Sequence, residues 1–174
     1  MKEIRNFDIE LRNQPETRLI EGYAIVFDSL SRDLGGFKEI IDKRALEGVL
    51  ENSDILCLLN HNEDRGVLAR SKYGKGSLTL AVDERGLKYS FEAPNTSLGN
   101  ELLEGIKRGD ISTSSFAFTI DKDEWTKNND GSYVRTIKRF KELYDVSPVY
   151  KEAYSDTSVA LRKMQELEEK EDLT

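Results

Sequence analysis

Residues 77–94, SLTLAVDERGLKYSFEAP, leave little choice of local structure. Leu78, Leu80 and Val82 alternate with polar or small residues, DERG turns, and Leu87, Tyr89 and Phe91 alternate back. A period of two puts each apolar set on one face of a strand. The stretch therefore reads as a β-hairpin with one oily face, and that face needs a second layer to cover it. A fold without a sheet is excluded.

Most of the remaining chain reads the same way. IRNFDIEL (residues 4–11) alternates, and RLIEGYAIVFD (18–28) is rich in β-formers such as Ile20, Tyr23, Ile25, Val26 and Phe27. SLSRDLGGF (29–37) is a loop marked by Gly35-Gly36. DKRALEGVLEN (42–52) predicts a short helix with Asp42 as N-cap and Ala45, Leu46, Val49 and Leu50 on one side. DILCLLNH (54–61) is a near-continuous apolar run, as in a strand buried on both faces. TSLGNELLEGIKRGD (96–110) spaces Leu98, Leu102, Leu103 and Ile106 as an amphipathic helix that stops at Gly109. ISTSSFAFTIDKDEW (111–125) is a strand, and residues 127–150 hold two more around an NNDG turn. The end, SVALRKMQELEEKEDLT (158–174), begins strand-like and becomes charge-dense, helical or frayed. Many short strands and two helices predict an α+β fold, mainly β, built as a barrel or sandwich with helical insertions.

A chain of 174 residues fits one domain, and no linker divides it. Acids outnumber bases by 33 to 26, a net charge of −7 that argues against a nucleic-acid-binding surface. The opening MKEIRNFDIE lacks an apolar h-region and no run of eighteen apolar residues occurs, so neither signal peptide nor membrane span is expected. A single cysteine excludes an intramolecular disulfide and suits a reducing interior. Metal-ligand motifs such as HExxH and phosphate loops such as GxxxxGK[ST] are absent, and no cofactor is expected. Nucleophilic catalysis is the chemistry left open.

His61, the only histidine, stands where the apolar run 55–59 breaks into the turn NEDRG. It reads either as a structural residue at a strand end or as a base held by the core and turned to the surface. Cys57, four residues earlier, would share its face on a strand, but a cysteine among Ile55, Leu56, Leu58 and Leu59 reads as core. GDISTSSFAF offers hydroxyls at Ser112, Thr113, Ser114 and Ser115. Alternation puts Ser115 with Ala117 on one face, and Phe116 with Phe118 inside. The stretch is either a Ser/Thr-rich strand or the home of a nucleophile. A serine needs a base and a group to orient that base; Asp145, Glu142 and Glu63 are the acids available for orientation.

Taken in order, these segments resemble the prohead (procapsid maturation) proteases of tailed phages, HK97-type serine peptidases related in fold to herpesvirus assemblins. IEGYAIVFDSLSRDLGGFKEIIDKRALEGVL resembles the family's opening, LLNHNEDRGVLAR its histidine motif, and GDISTSSFAF its serine motif. LYDVSPVYKEAYSDTSVALR resembles the closing segment. Departures are Ala117 where glycine is usual, Pro148 after DVS, and Glu152 before Ala153 where proline is common.

The resemblance implies a herpesvirus-protease-like β-barrel with short flanking helices, spanning 1–162 and followed by a charged tail, 163–174. It implies Ser115 as nucleophile and His61 as general base, with Arg162 an oxyanion candidate by position. Assemblins use a second histidine as third member; this chain has none, and of the acids Asp145, Glu142 and Glu63 we take Asp145 for that role. The resemblance further implies a serine endopeptidase that cleaves the phage major capsid protein and scaffold, and itself, inside the procapsid in the host cytoplasm. A homo-oligomer is compatible with it; nucleic acid and membrane are not expected partners. The alternative is a catalytically inactive capsid-assembly or scaffold-binding module on the same fold.

Overall fold

The computed structural model describes residues 2–7, 9–150 and 156–173. In chain order the elements are β1 (Glu3–Phe7), β2 (Arg12–Asn13), β3 (Leu19–Val26), β4 (Phe37–Ile41), β5 (Asp54–Cys57), β6 (Ala69–Lys72) and β7 (Lys75–Gly76). Then follow β8 (Thr79–Val82), β9 (Gly86–Glu92), α1 (Ser97–Arg108), β10 (Thr113–Lys127), β11 (Tyr133–Val149) and α2 (Ser158–Asp172). Glu152 and Ala153 lie outside the described residues.

Two sheets carry the fold. The larger runs β1-β10-β11-β5-β6-β7, with β4 also paired to β11; the smaller runs β2-β3-β9-β8. The described residues are mainly β, as expected, with two α-helices of which α1 alone lies where a helix is read without ambiguity from the sequence, and these sheets do not close into a barrel. The hairpin read from residues 77–94 forms as β8 and β9, paired antiparallel. Its Leu87, Tyr89 and Phe91 pack with Ile20 and Ile25 of β3 against Phe116, Phe118, Phe140 and Leu143 of the larger sheet. Phe118 meets Phe140 edge-on with ring centroids 5.3 Å apart, an arrangement favoured by the ring quadrupoles.

β11 organises the larger sheet. Its seventeen residues pair antiparallel with β10 along one edge. The other edge takes two parallel strands in succession, β4 against Tyr133–Ile137 and β5 against Asp145–Val146. Residues 42–53 make the connection between those two strands. They form no α-helix, contrary to their spacing. Ala45, Glu47 and Val49 donate backbone N–H groups to the carbonyls of Asp42, Arg44 and Leu46, three residues back in each case. Gly48 takes φ of 72°, a left-handed conformation that stops helical propagation. Asp42 still caps the first turn, accepting from the Arg44 N–H at 2.8 Å.

α1 matches its spacing. Thr96 caps it by accepting from the Gly99 N–H, Leu98 and Leu102 are buried, and Gly109 ends it at φ of 82°. α2 is a full helix rather than a strand followed by a tail, and the boundary expected between 162 and 163 falls inside it. Ala160 and Met164 bury one side of α2 against Phe37 and Tyr133.

A buried ionic cluster ties β1 into this frame. Arg5 donates to Glu3 and Glu39, and Arg135 on β11 donates to Glu3, Glu39 and Asp123. Lys163 of α2 reaches Asp123 at 2.9 Å. Arg135 is completely buried and Glu3 nearly so. Ions in such a place are tolerated only when paired and hydrogen-bonded.

Candidate active site

The site begins with a pairing register. On β10, Phe116 and Phe118 point into the core, which turns Ser115 and Ala117 to the other face. Ser115 stands opposite Ser147 of β11 and Asn6 of β1, and Ala117 stands opposite Asp145. Strict alternation from buried Leu143 would send Asp145 into the core with it. A bulge prevents this: Phe118 pairs with Leu143 while Ala117 pairs with Asp145, so Tyr144 is the extra residue. Bulges re-aim side chains in this way. Asp145 therefore comes to the face that Ser115 occupies.

His61 arrives from a turn. β5 ends at Cys57, Leu58 and Leu59 are anchored in the interior, and Asn60 and His61 take φ of 56° and 58°. Two successive left-handed residues reverse the chain at a cost of roughly 1–3 kcal/mol each for non-glycine residues. Asn tolerates that region better than most. Asn62 then accepts from the Asp64 N–H at 3.1 Å, capping the next turn. The strand expected over 54–61 is thus shorter. Cys57 lies in the core beside Val146 and shares no face with His61, so a Cys57–His61 dyad is not formed. Burial, and then the nearby Asp145 charge, push the Cys57 thiol well above its ordinary range.

These three elements converge. His61 Nε2 lies 2.7 Å from Ser115 Oγ, and His61 Nδ1 lies 2.5 Å from Asp145 Oδ1. A carboxylate can only accept, so Nδ1 carries its proton there and Nε2 presents a lone pair to the hydroxyl. Of the three acids weighed, Asp145 is the one hydrogen-bonded to Nδ1; Glu142 is half-buried opposite Thr119, and Glu63 is exposed in the turn after His61.

Two further groups, not singled out from the sequence, join the constellation. Ser147 Oγ donates to Asp145 Oδ1 at 2.6 Å, and Ser115 Oγ lies 2.9 Å from the Arg5 carbonyl. Ser147 was legible in principle, since two positions along a strand share a face. The Arg5 carbonyl was not, because no side-chain pattern announces it. The Ser115 hydroxyl has one proton and two acceptors in reach, so it donates to His61 or to Arg5 at any moment. Ser115 is 0% exposed. A peptide reaching it must displace part of what covers it.

Beneath the site, Tyr89 of β9 and Ser114 share a hydrogen bond of 2.5 Å between the two sheets. Burial, then the neighbouring Cys57, push the Tyr89 hydroxyl well above its ordinary range, against the opposing Ser114 bond. Beside Asp145 opens a cleft of about 350 Å³, lined among others by Leu56, Leu58, Val67 and Tyr144. No hydrogen bond or ion pair among the described residues joins Arg162 to the group. It is exposed on α2, whose packing lies along Phe37, Asp123 and Tyr133, so its position lends the oxyanion expectation no support.

The sequence matches the family of caudovirus prohead serine proteases over residues 6–170. The chain belongs to that family. This prohead protease is also similar in structure to the bacteriophage T4 capsid assembly protease, gp21, with a TM-score of 0.50. The likeness covers 87% of this chain and 98% of that one at 15% identity, and so speaks for the fold. No curated protein matches the sequence significantly. Among the described residues of the prohead protease, no helix is long and apolar enough to cross a membrane.

Proposed function

We propose that this prohead protease cleaves peptide bonds by a serine mechanism in which Ser115 is the nucleophile, His61 the general base and Asp145 the group that orients the imidazole. The observation that carries the reading is the unbroken chain of hydrogen bonds from Ser115 Oγ through the His61 ring to Asp145 Oδ1, at 2.7 and 2.5 Å. Ser115 Oγ attacks the substrate carbonyl while Nε2 takes its proton, and the imidazolium is stabilised by Asp145. His61 then gives the proton to the leaving amine, leaving an acyl group on Ser115. Water, activated by the same imidazole, releases it.

The substrates proposed are the major capsid protein and scaffold of a tailed phage, cut within the procapsid inside the host cell, with self-cleavage in addition. Family membership supports this reading. The test is co-expression of the protease, or its Ser115→Ala variant, with the capsid and scaffold proteins. Wild type should shorten the substrates and acquire a fluorophosphonate label on Ser115, and Ser115→Ala should do neither. Equal processing by both forms would remove Ser115 from the mechanism. A folded wild type that neither cleaves nor labels would favour the inactive assembly module.

A further inference from the structure

We infer that Ser147 is a positioning residue of this site, fixing the Asp145 carboxylate toward the His61 ring. The inference rests on the reading of Ser115, His61 and Asp145 as the reacting group.

Ser147 Oγ donates to Asp145 Oδ1, the same oxygen that accepts from His61 Nδ1. A carboxylate held by one donor can rotate about its terminal torsion and exchange its two oxygens. A second donor, fixed to the same strand two residues on, removes that freedom and occupies the remaining acceptor direction on Oδ1. Ser147 is suited to the task. It is completely buried, so water does not compete for its hydroxyl. It precedes Pro148, and the proline ring confines the residue before it to extended backbone, which fixes where the side chain leaves β11. It also stands directly opposite Ser115 in the strand register, so one cross-strand pair holds both the nucleophile and the group that aims the acid.

The consequence is a defined tautomer. With Oδ1 accepting from both sides, Nδ1 holds its proton and Nε2 keeps the lone pair that Ser115 needs. Ser147 acts through Asp145, which is its side-chain hydrogen-bond partner among the described residues.

The test compares wild type with Ser147→Ala and with the isosteric pair Ser147→Thr and Ser147→Val. Two quantities are measured: the rate at which a fluorophosphonate modifies Ser115 at saturation, and the downfield proton resonance of the imidazole Nδ1–H. His61 is the only histidine, so that resonance needs no assignment by mutation. Ser147→Ala should slow labelling by about ten- to a hundredfold without weakening reagent binding, as expected of a misaimed group. The same variant should move the Nδ1–H resonance upfield or lose it to exchange. Ser147→Thr should restore both, and Ser147→Val should not. Should Ser147→Ala fold poorly, the Thr and Val forms decide, since they differ by one hydroxyl at equal volume. Labelling and resonance unchanged in Ser147→Ala, or equal in the Thr and Val forms, would overturn the inference and leave the triad reading standing. Absence of any labelling in folded wild type would overturn the triad reading itself.

Discussion

His61 Nδ1 and Asp145 Oδ1 lie 2.5 Å apart although 84 positions separate the two residues in the chain. The contact depends on a left-handed turn at one end and a β-bulge at the other. Replacing Asp145 with Asn keeps the volume but offers the ring an amide donor. That selects the tautomer with the proton on Nε2 and leaves no lone pair facing Ser115 Oγ. Asp145→Asn should lower the rate of Ser115 modification by roughly 10³- to 10⁴-fold at neutral pH, with an unchanged near-ultraviolet circular dichroism spectrum.

The turn itself is open to test. Asn60 sits at φ of 56°, where a β-branched side chain is strongly disfavoured and glycine is at ease. Asn60→Val should cost about 1–3 kcal/mol in urea unfolding and slow Ser115 modification. Asn60→Gly should leave the labelling rate within about threefold of wild type. Equal rates in the two variants would mean that this backbone geometry does not set the position of His61.

Removing Arg135 leaves the two buried carboxylates of Glu3 and Glu39 to share the single guanidinium of Arg5. Arg135→Ala should therefore destabilise the fold by about 3–5 kcal/mol, read as a lowered urea midpoint. Arg135→Met combined with Glu3→Gln should recover part of the loss, because Arg5 and Glu39 then remain as a buried pair.

The same cluster sets an acid limit. Burial is the largest single influence on Asp123 and opposes its ionisation, but hydrogen bonds from Lys163 and Arg135 together hold its carboxyl below the ordinary 3.8. A carboxyl lowered in the folded state binds fewer protons there than in the unfolded chain at acid pH. Its stabilisation is complete above the unfolded value and disappears as pH falls below 3.8 through the folded value. Urea midpoints measured from about pH 6 down to about pH 3 should fall at the acid end, and Asp123→Asn should flatten that fall.

Cys57 should prove dispensable. Its thiol is buried and held protonated by burial and by the Asp145 charge, so native protein should react with iodoacetamide far more slowly than protein in urea. Cys57→Ala should cost about 1 kcal/mol of stability and leave Ser115 labelling unaffected. Loss of labelling on alkylation of the native protein would reopen the cysteine reading.

Local pattern reached much of this structure. Alternation revealed the β8–β9 hairpin and the inward Phe116 and Phe118, and apolar spacing with a stop at Gly109 revealed α1, because each of these signals is contained within one short segment. Pairing between distant segments left no such mark. Nothing in FKEII or DILC announces that both lie parallel to β11. Tyr144 as a bulge residue, which decides the face of Asp145, is visible only once the register with β10 is known. DKRALEGVLEN misled because its apolar spacing suits a helix while Gly48 supplies a left-handed break. The resemblance to phage proteases, rather than periodicity, singled out His61 and Ser115; neither route pointed to the Arg5 carbonyl.

The parallel joint between β5 and β11 spans two residue pairs, Leu56 with Asp145 and Cys57 with Val146. β10 and β11, by contrast, are neighbours in sequence and pair over most of their length. A nascent chain that has made only this local hairpin already holds Ser115, Ser147 and Asp145 side by side. What it lacks is the imidazole of His61, which joins only when a segment far upstream docks on the end of β11, and closing so long a loop carries an entropic cost. On the proposed reading of these residues, hydrolysis would begin only after that long-range contact forms, and its onset would report the completion of the tertiary structure.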